Sequence, residues 1–286
     1  MPVCHMKELM NEASVENRAV GAFSVGNMEM VIGAVRAAEE LNTPIILQIA
    51  QVRLKHSPLH LMGPMMLRAA EQAKVRVAVH LDHGLTMDTV KQALDLRFTS
   101  VMFDGSRYDF EKNMEVTAEI VRMSRDTGAN VEAELGVVGG SEDGCAKKKI
   151  VCTDPDMAKT FAEKTEVDAL AVAIGNAHGH YSGVPKLQLG VLEKIHQRVE
   201  IPLVLHGGSG ISAADFRKSI DFGIRKINIA TANFDSVVLE SEQYLRTDGE
   251  HDYFKLNEAM VRGMYRNVRK HILIFNNRVP LNEIEQ

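Results

Sequence analysis

Residues 76–82, Arg-Val-Ala-Val-His-Leu-Asp, begin on valines spaced two apart and end on an imidazole and a carboxylate. A short run of this kind reads as a buried strand. Seven others share its form: Ala19–Val25, Pro44–Ala50, Ser100–Gly105, Asn130–Leu135, Ala169–Gly175, Pro202–Gly207 and Lys226–Thr231. From residue 19 to residue 226 the starts lie about 30 apart, near the roughly 31 expected when about 250 residues carry eight βα units.

Helical patterns with start signals fill the gaps. Asn27 precedes Met28, Val31, Ile32 and Val35, an i, i+3, i+4, i+7 stripe. Thr86 caps a segment reaching Leu94, and Asp109 precedes Met114, Ile120 and Val121. Asp154 stands before Pro155, and Ser212 before Asp215 in a capping-box pattern. Strands alternating with helices pair in parallel through right-handed crossovers. The chain is therefore α/β, and eight units predict a closed (β/α)8 TIM barrel. An extra C-terminal helix covers Tyr253–Ile272, and residues 1–286 form a single domain. Gly136–Thr153 breaks the pattern with four glycines and no apolar period, which predicts a mobile active-site loop.

The 286 residues include 33 basic and 38 acidic side chains, a net charge of −5 that does not suit a nucleic-acid partner. No run approaches the roughly 18 apolar residues of a membrane span. His5, Lys7 and Glu8 interrupt the first ten residues, so no signal peptide is expected. Three cysteines fit a reducing compartment, and a cytoplasmic location is expected.

In such barrels the chemistry gathers at the C-terminal strand ends. Those ends carry His80-Leu81-Asp82-His83, Asp104-Gly105-Ser106, Glu132 with Glu134, Asn176-Ala177-His178-Gly179-His180, His206-Gly207-Gly208-Ser209-Gly210 and Asn228-Ile229-Ala230-Thr231. One rim histidine alone would be an ordinary hydrogen-bonded side chain. Three, His83, His178 and His206, match a catalytic zinc set with an open fourth position, with His180 competing for the place of His178. His80 and Asp82 alternate with Leu81 and so face one side. Gly207–Gly210 precedes a helix starting near Ser212, where backbone N–H groups and a positive helix end suit a phosphate. Gly179 and the 228–231 turn close round the same point. Glycine in tight βα turns is the plainer reading of each alone.

Taken in order, these six motifs resemble the class II, metal-dependent ketose-bisphosphate aldolases, from about Ala19 to Ile272 and nearest the tagatose-bisphosphate branch. The resemblance implies cleavage of a tagatose- or fructose-bisphosphate type ketose, or a related ketose 1-phosphate, to dihydroxyacetone phosphate and an aldehyde through a zinc-stabilised enediolate. It implies that Asp82 exchanges a proton with the C4 oxygen, and that Glu142 in the loop moves the C3 proton. His83, His178 and His206 fall on the Zn2+ ligands, and Asp104 and Glu134 on a second metal position. Gly179, Gly207, Gly208, Ser209, Asn228, Ile229, Ala230 and Thr231 fall on the dihydroxyacetone-phosphate site, with Na+ or K+ nearby. A homodimer or homotetramer is expected, with a companion subunit as an option.

The chemistry of such a cleavage agrees with these residues. Splitting a ketose leaves an enediolate whose charge needs a Lewis acid, and a base must take the hydroxyl proton. A Schiff-base lysine is the other solution, but no lysine ends a strand; Lys147–Lys149 lie in the loop and Lys226 begins strand eight. The family's substrate-side features differ: Ala50 stands near a usual serine, His251-Asp252-Tyr253 replaces Asp-Pro-Arg, and Ala232 replaces a common acid. The rival readings are a metal-dependent isomerase or epimerase using the same enediolate, and a non-catalytic companion. Cys145 and Cys152 beside the lysines read as incidental, the Arg262, Arg266, Arg269 and Lys270 series as a solvated face, and the 15 methionines as mostly core.

Overall fold

The computed structural model describes residues 2–140, 151–181, 183–247 and 251–284. The strands are β1 Val20–Ser24, β2 Ile45–Ala50, β3 Val77–Gly84, β4 Ser100–Phe103, β5 Asn130–Leu135, β6 Ala169–Val172, β7 Leu203–Leu205 and β8 Ile224–Ile229. They close in sequence order, every pair parallel, with β8 returning to β1. The helices are α1 Met6–Val15, α2 Met28–Glu40, α3 Leu59–Gln72, α4 Met87–Asp95, α5 Phe110–Arg125, α6 Pro155–Thr165, α7 Leu189–His196, α8 Ala213–Asp221, α9 Thr231–Leu245, α10 Tyr253–Phe275 and α11 Leu281–Ile284. This is the expected (β/α)8 barrel with an additional C-terminal helix, α10, packed on α2 and α9. Among the described residues no helix is long and apolar enough to cross a membrane.

The caps behave as their side chains dictate. Asn27, Thr86, Asp109, Asp154 and Ser212 each accept a backbone N–H from their helix's first turn. Each satisfies an otherwise orphaned donor. Asp215 does not complete a capping box; it accepts the Ser212 hydroxyl at 2.8 Å.

Strand alternation divides the barrel into an outer and an inner layer. Leu47, Ile49, Val79, Leu81, Ile227 and Ile229 point outward into the main core beneath the helices. Val20, Ala22, Ile46, Ala78, Ala169, Ala171 and Val204 point inward at the N-terminal end. There α1, absent from the sequence reading, closes the barrel floor with Met6, Leu9, Met10 and Ala13. Moving up the same inward faces, the side chains become polar: Ser24, Gln48, His80, Asp82, Glu132, Glu134, His206, Lys226 and Asn228, all buried.

One peripheral expectation changes. The basic series on α10 is not merely solvated: Arg262 and Arg266 pair with Glu240, and Arg269 with Glu40, joining α10 to α9 and α2. The exposed Arg269–Glu40 pair contributes up to about 1 kcal/mol, whereas Glu240 is buried. The 136–153 segment is paired at its base, with Val137 and Val151 exchanging two backbone hydrogen bonds and Gly139 bridging to Ala177. Residues 141–150, which include Glu142, Cys145 and Lys147–Lys149, lie outside the described residues.

Candidate active site

The β3 strand delivers the first histidine through a local irregularity. Pairing with β4 shifts register between Leu81 and Gly84, and His83 takes a left-handed backbone with φ of 40°. Such a conformation is costly for a non-glycine residue and is common where a functional side chain must be re-aimed. His83 Nδ1 lies 2.8 Å from Asp104 Oδ2. A carboxylate only accepts, so this nitrogen carries the hydrogen and Nε2 presents a lone pair. His206, just past β7, is the mirror case: Nε2 lies 2.8 Å from Glu132 Oε1, which leaves Nδ1 with the lone pair.

Those two free nitrogens face one another at 2.9 Å. Glu134 Oε2 is 3.5 Å from His206 Nδ1, is buried, and has no hydrogen-bond partner. His178 joins them, its ring 4.7 Å from that of His83 and 5.8 Å from that of His206. One ligand atom from each of His83, Glu134, His178 and His206 falls within 4.8 Å of the others. Donors about 2.0–2.1 Å from a tetrahedral zinc stand roughly 3.3 Å apart, so the group brackets the required spacing. Lone pairs turned together with an orphaned carboxylate repel unless a cation lies among them, and the donor set fits Zn2+.

The electrostatics carry the same imprint. Burial opposes charge on His83, yet Asp82, Asp104 and Glu134 push its pKa well above the ordinary value. Burial and the Asp104 charge raise Glu134, while His83 pulls it down. Burial depresses His178 and His206, and each also feels His83. Burial alone would raise Asp104, but its hydrogen bond with His83 holds it well below the usual carboxylate range. A site with this acidic surplus takes a proton or a metal ion.

The structure places the candidates differently. His180 is exposed and 3.7 Å from Asp235, away from the group that contains His178. The cause is Gly179, whose φ of 81° turns the chain between them. Asp104, expected at a second metal position with Glu134, instead spends Oδ2 on His83 and Oδ1 on the Ser106 N–H. Its place is behind His83, orienting the ring. Asp82 lies 3.9 Å from His83 Nε2 and accepts from Gln48 Nε2 at 3.1 Å and Asn228 Nδ2 at 3.0 Å.

A small cavity opens above Asp82 and His178, lined also by Gln48, Gly179, Gly207, Gly208, Ser209, Asn228, Ala230 and Thr231. The expected phosphate residues therefore converge, with one exception. Ile229 alternates out of phase and buries its side chain in the outer core. The helix end at this cavity is also different from the one expected. It belongs to α9, where Ala232 N–H donates to Ser209 Oγ at 2.9 Å. The α8 start is capped by Ser212, and Gly210–Ser212 line a separate cavity with Phe216 and His271.

Several side chains at the site carry no role in the sequence pattern. Gln48 ties Asp82 to Ser24, with Nε2 within 3.1 Å of both. Tyr181 accepts from Ala177 N–H and donates to Gly207 O, both at 2.9 Å, and Asn176 Nδ2 donates to His206 O at 3.0 Å. These bonds knit the two turns that bear His178 and His206. His80, with Nδ1 2.9 Å from Ser100 Oγ, is pushed down to about 3 by burial and by Lys226, so it stays neutral. The inward alternation of β2, β3 and β5 was the available signal for Gln48 and Glu132.

A closed parallel barrel thus carries three converging histidines, an unpartnered carboxylate oxygen and a glycine-lined cavity at its C-terminal rim. The family model described as "Fructose-bisphosphate aldolase class-II" matches residues 4–278, and the chain belongs to that family. It is 40% identical over 236 residues, 82% of either chain, to a fructose-bisphosphate aldolase of Staphylococcus aureus, and 39% identical over the same share to that of Staphylococcus epidermidis. The crystal structure of the YdjI aldolase from Escherichia coli K12 superposes with a TM-score of 0.87 at 33% identity, covering 96% of this chain and 97% of that one.

Proposed function

We propose that the chain is a zinc-dependent aldolase that reversibly cleaves a phosphorylated ketose to dihydroxyacetone phosphate and an aldehyde. The observation that carries this reading is the group of converging ligand atoms from His83, His178, His206 and Glu134 beside Asp82, at the floor of the glycine-lined cavity. The three histidines hold the ion, with Glu134 as a buried reserve ligand. Bound there, zinc supplies a Lewis acid for the substrate's carbonyl end.

The chain's own groups supply the rest. Asp82, fixed on both oxygens by Gln48 and Asn228, takes the C4 hydroxyl proton during cleavage and returns it during condensation. Glu142 moves the C3 proton. Backbone N–H groups of 207–209 and the α9 end bind the triose phosphate. A companion role is disfavoured because the histidines and Asp82 are all retained. An isomerase reading leaves Asp82 without a C4 proton to transfer.

The aldehyde half of the substrate sets the finer specificity. His251 packs on the Tyr244 ring and Asp252 caps α10, so both serve the α9–α10 junction. A weaker dependence on a second phosphate follows, because one charge-assisted contact is worth about 1.5–3 kcal/mol, or roughly 10–150-fold in kcat/KM. The test is a coupled assay for dihydroxyacetone phosphate over a panel of ketose 1-phosphates and 1,6-bisphosphates. Release from at least one substrate supports the reading, and none from any substrate contradicts it. A bisphosphate preference above about a thousandfold contradicts the specificity argument alone.

A further inference from the structure

Lys226 lies fully buried in the barrel interior, below the histidines. A lysine is almost never buried this deeply unless it is paired. Its Nζ stands 2.9 Å from Glu132 Oε2 and donates to Asn228 Oδ1 at 2.8 Å. An ammonium has three donors and no acceptor, so both neighbours must turn an oxygen toward it. With Oε2 held in that ion pair, outside hydrogen-bond geometry, Glu132 offers Oε1 to His206 Nε2 at 2.8 Å. Asn228 Nδ2 also lies 3.2 Å from Nε2, but the nearer Glu132 carboxylate can only accept, so Nε2 carries the hydrogen and Nδ1 presents its lone pair to the group of ligand atoms. With its oxygen committed, Asn228 points Nδ2 at Asp82 Oδ1, 3.0 Å away.

We propose that Lys226 is a positioning residue that fixes the donor direction of two branches at once, setting the ligating tautomer of His206 through Glu132 and the orientation of Asp82 through Asn228. This rests on the reading that His206 Nδ1 ligates the metal. Lys226 touches neither metal nor substrate, and its ion pair with Glu132 leaves it unsuited to Schiff-base chemistry. The mechanism described above uses neither Lys226 nor Glu132.

The test measures zinc affinity on the full chain by competition with a chromogenic chelator, so it does not depend on turnover. Lys226→Met strands Glu132 Oε2 in the interior and is expected to weaken zinc binding about 10–100-fold, the usual effect of removing support behind a ligand. Combining Glu132→Gln with Lys226→Met removes the stranded charge and keeps an acceptor oxygen for His206 Nε2–H, so it recovers most of the affinity. A lysine needed only for packing would lower the melting temperature without this rescue. Unchanged affinity in folded Lys226→Met, or no recovery in the double variant, overturns the proposal. Should Lys226→Met not fold, nitrogen-15 NMR of zinc-loaded wild type decides: a hydrogen on His206 Nε2 is expected, and one on Nδ1 overturns it. Wild type that binds no zinc removes the underlying reading together with the proposal, whereas wild-type binding with an unaffected Lys226→Met removes the proposal alone.

Discussion

Replacing Gly207 with alanine perturbs the site through backbone geometry alone. Gly207 has φ of 62°, and a Cβ built there would lie 2.2 Å from Ala177 O and 3.1 Å from His178 N. The left-handed conformation costs an L-residue about 1–2 kcal/mol. The contact is a separate matter: a carbon and a carbonyl oxygen settle at roughly 3.3 Å or more, so the two turns must part by about 1 Å. The atom in the way is backbone and directly precedes His178, and Tyr181 and Asn176 brace the same two turns. A displacement of about 1 Å in a catalytic constellation costs about 10²-fold, or about 2.7 kcal/mol at the transition state. The assay is kcat/KM for release of dihydroxyacetone phosphate from the best ketose phosphate, read beside zinc affinity and melting temperature. Gly183→Ala is the control, since open space surrounds that position. Gly207→Ala should lose about 10²-fold in kcat/KM and bind zinc more weakly, with a fall of a few degrees in melting temperature. A folded Gly207→Ala indistinguishable from wild type in kcat/KM would refute the claim that this close approach positions His178.

Other expectations follow from the same geometry. His178→Ala should abolish stoichiometric zinc binding while His180→Ala retains it, as inductively coupled plasma analysis of dialysed protein would show; the opposite outcome reassigns the ligand. Asp82→Ala should abolish cleavage yet still exchange the dihydroxyacetone-phosphate C3 proton with deuterated solvent, and Glu142→Ala should suppress that exchange; equal rates rule out the division of labour. His271 is depressed by burial from 6.5 to about 4. The unfolded chain therefore gains this proton first as pH falls, and stability is lost from about pH 6.5 down to about 4, by roughly 3 kcal/mol. Urea titrations across that range should show a shallower acid limb for His271→Phe than for wild type; equal slopes would exclude His271 as a contributor.

Much of this architecture can be read from side-chain period and turn chemistry. The eight runs alternate every second residue, and the same alternation that joins His80 to Asp82 sends Lys226 and Asn228 inward and Ile229 outward. The Ile229 side chain follows that period into the outer core, so any part it plays at the cavity is through its backbone. The α1 helix was also legible, since Met6, Leu9, Met10 and Ala13 keep helical spacing; its position under the barrel is a tertiary fact. His178 and His180 are two apart, which in a strand would place them on one side. The left-handed Gly179 between them turns the chain, and no local pattern announces that. Asp104 and Glu134 both end strands as acids, and only the partner of each distinguishes them. His83 Nδ1 occupies Asp104, whereas Glu134 Oε2 is left facing the histidines.

The central claim is that one ion held by His83, His178 and His206 makes this chain an aldolase. The most direct measurement titrates Zn2+ into protein stripped to verified zero metal while following release of dihydroxyacetone phosphate from the preferred ketose phosphate. The account predicts no release at zero metal and a rise that saturates at one equivalent per chain, absent in His206→Ala. Full activity in the stripped protein would contradict it.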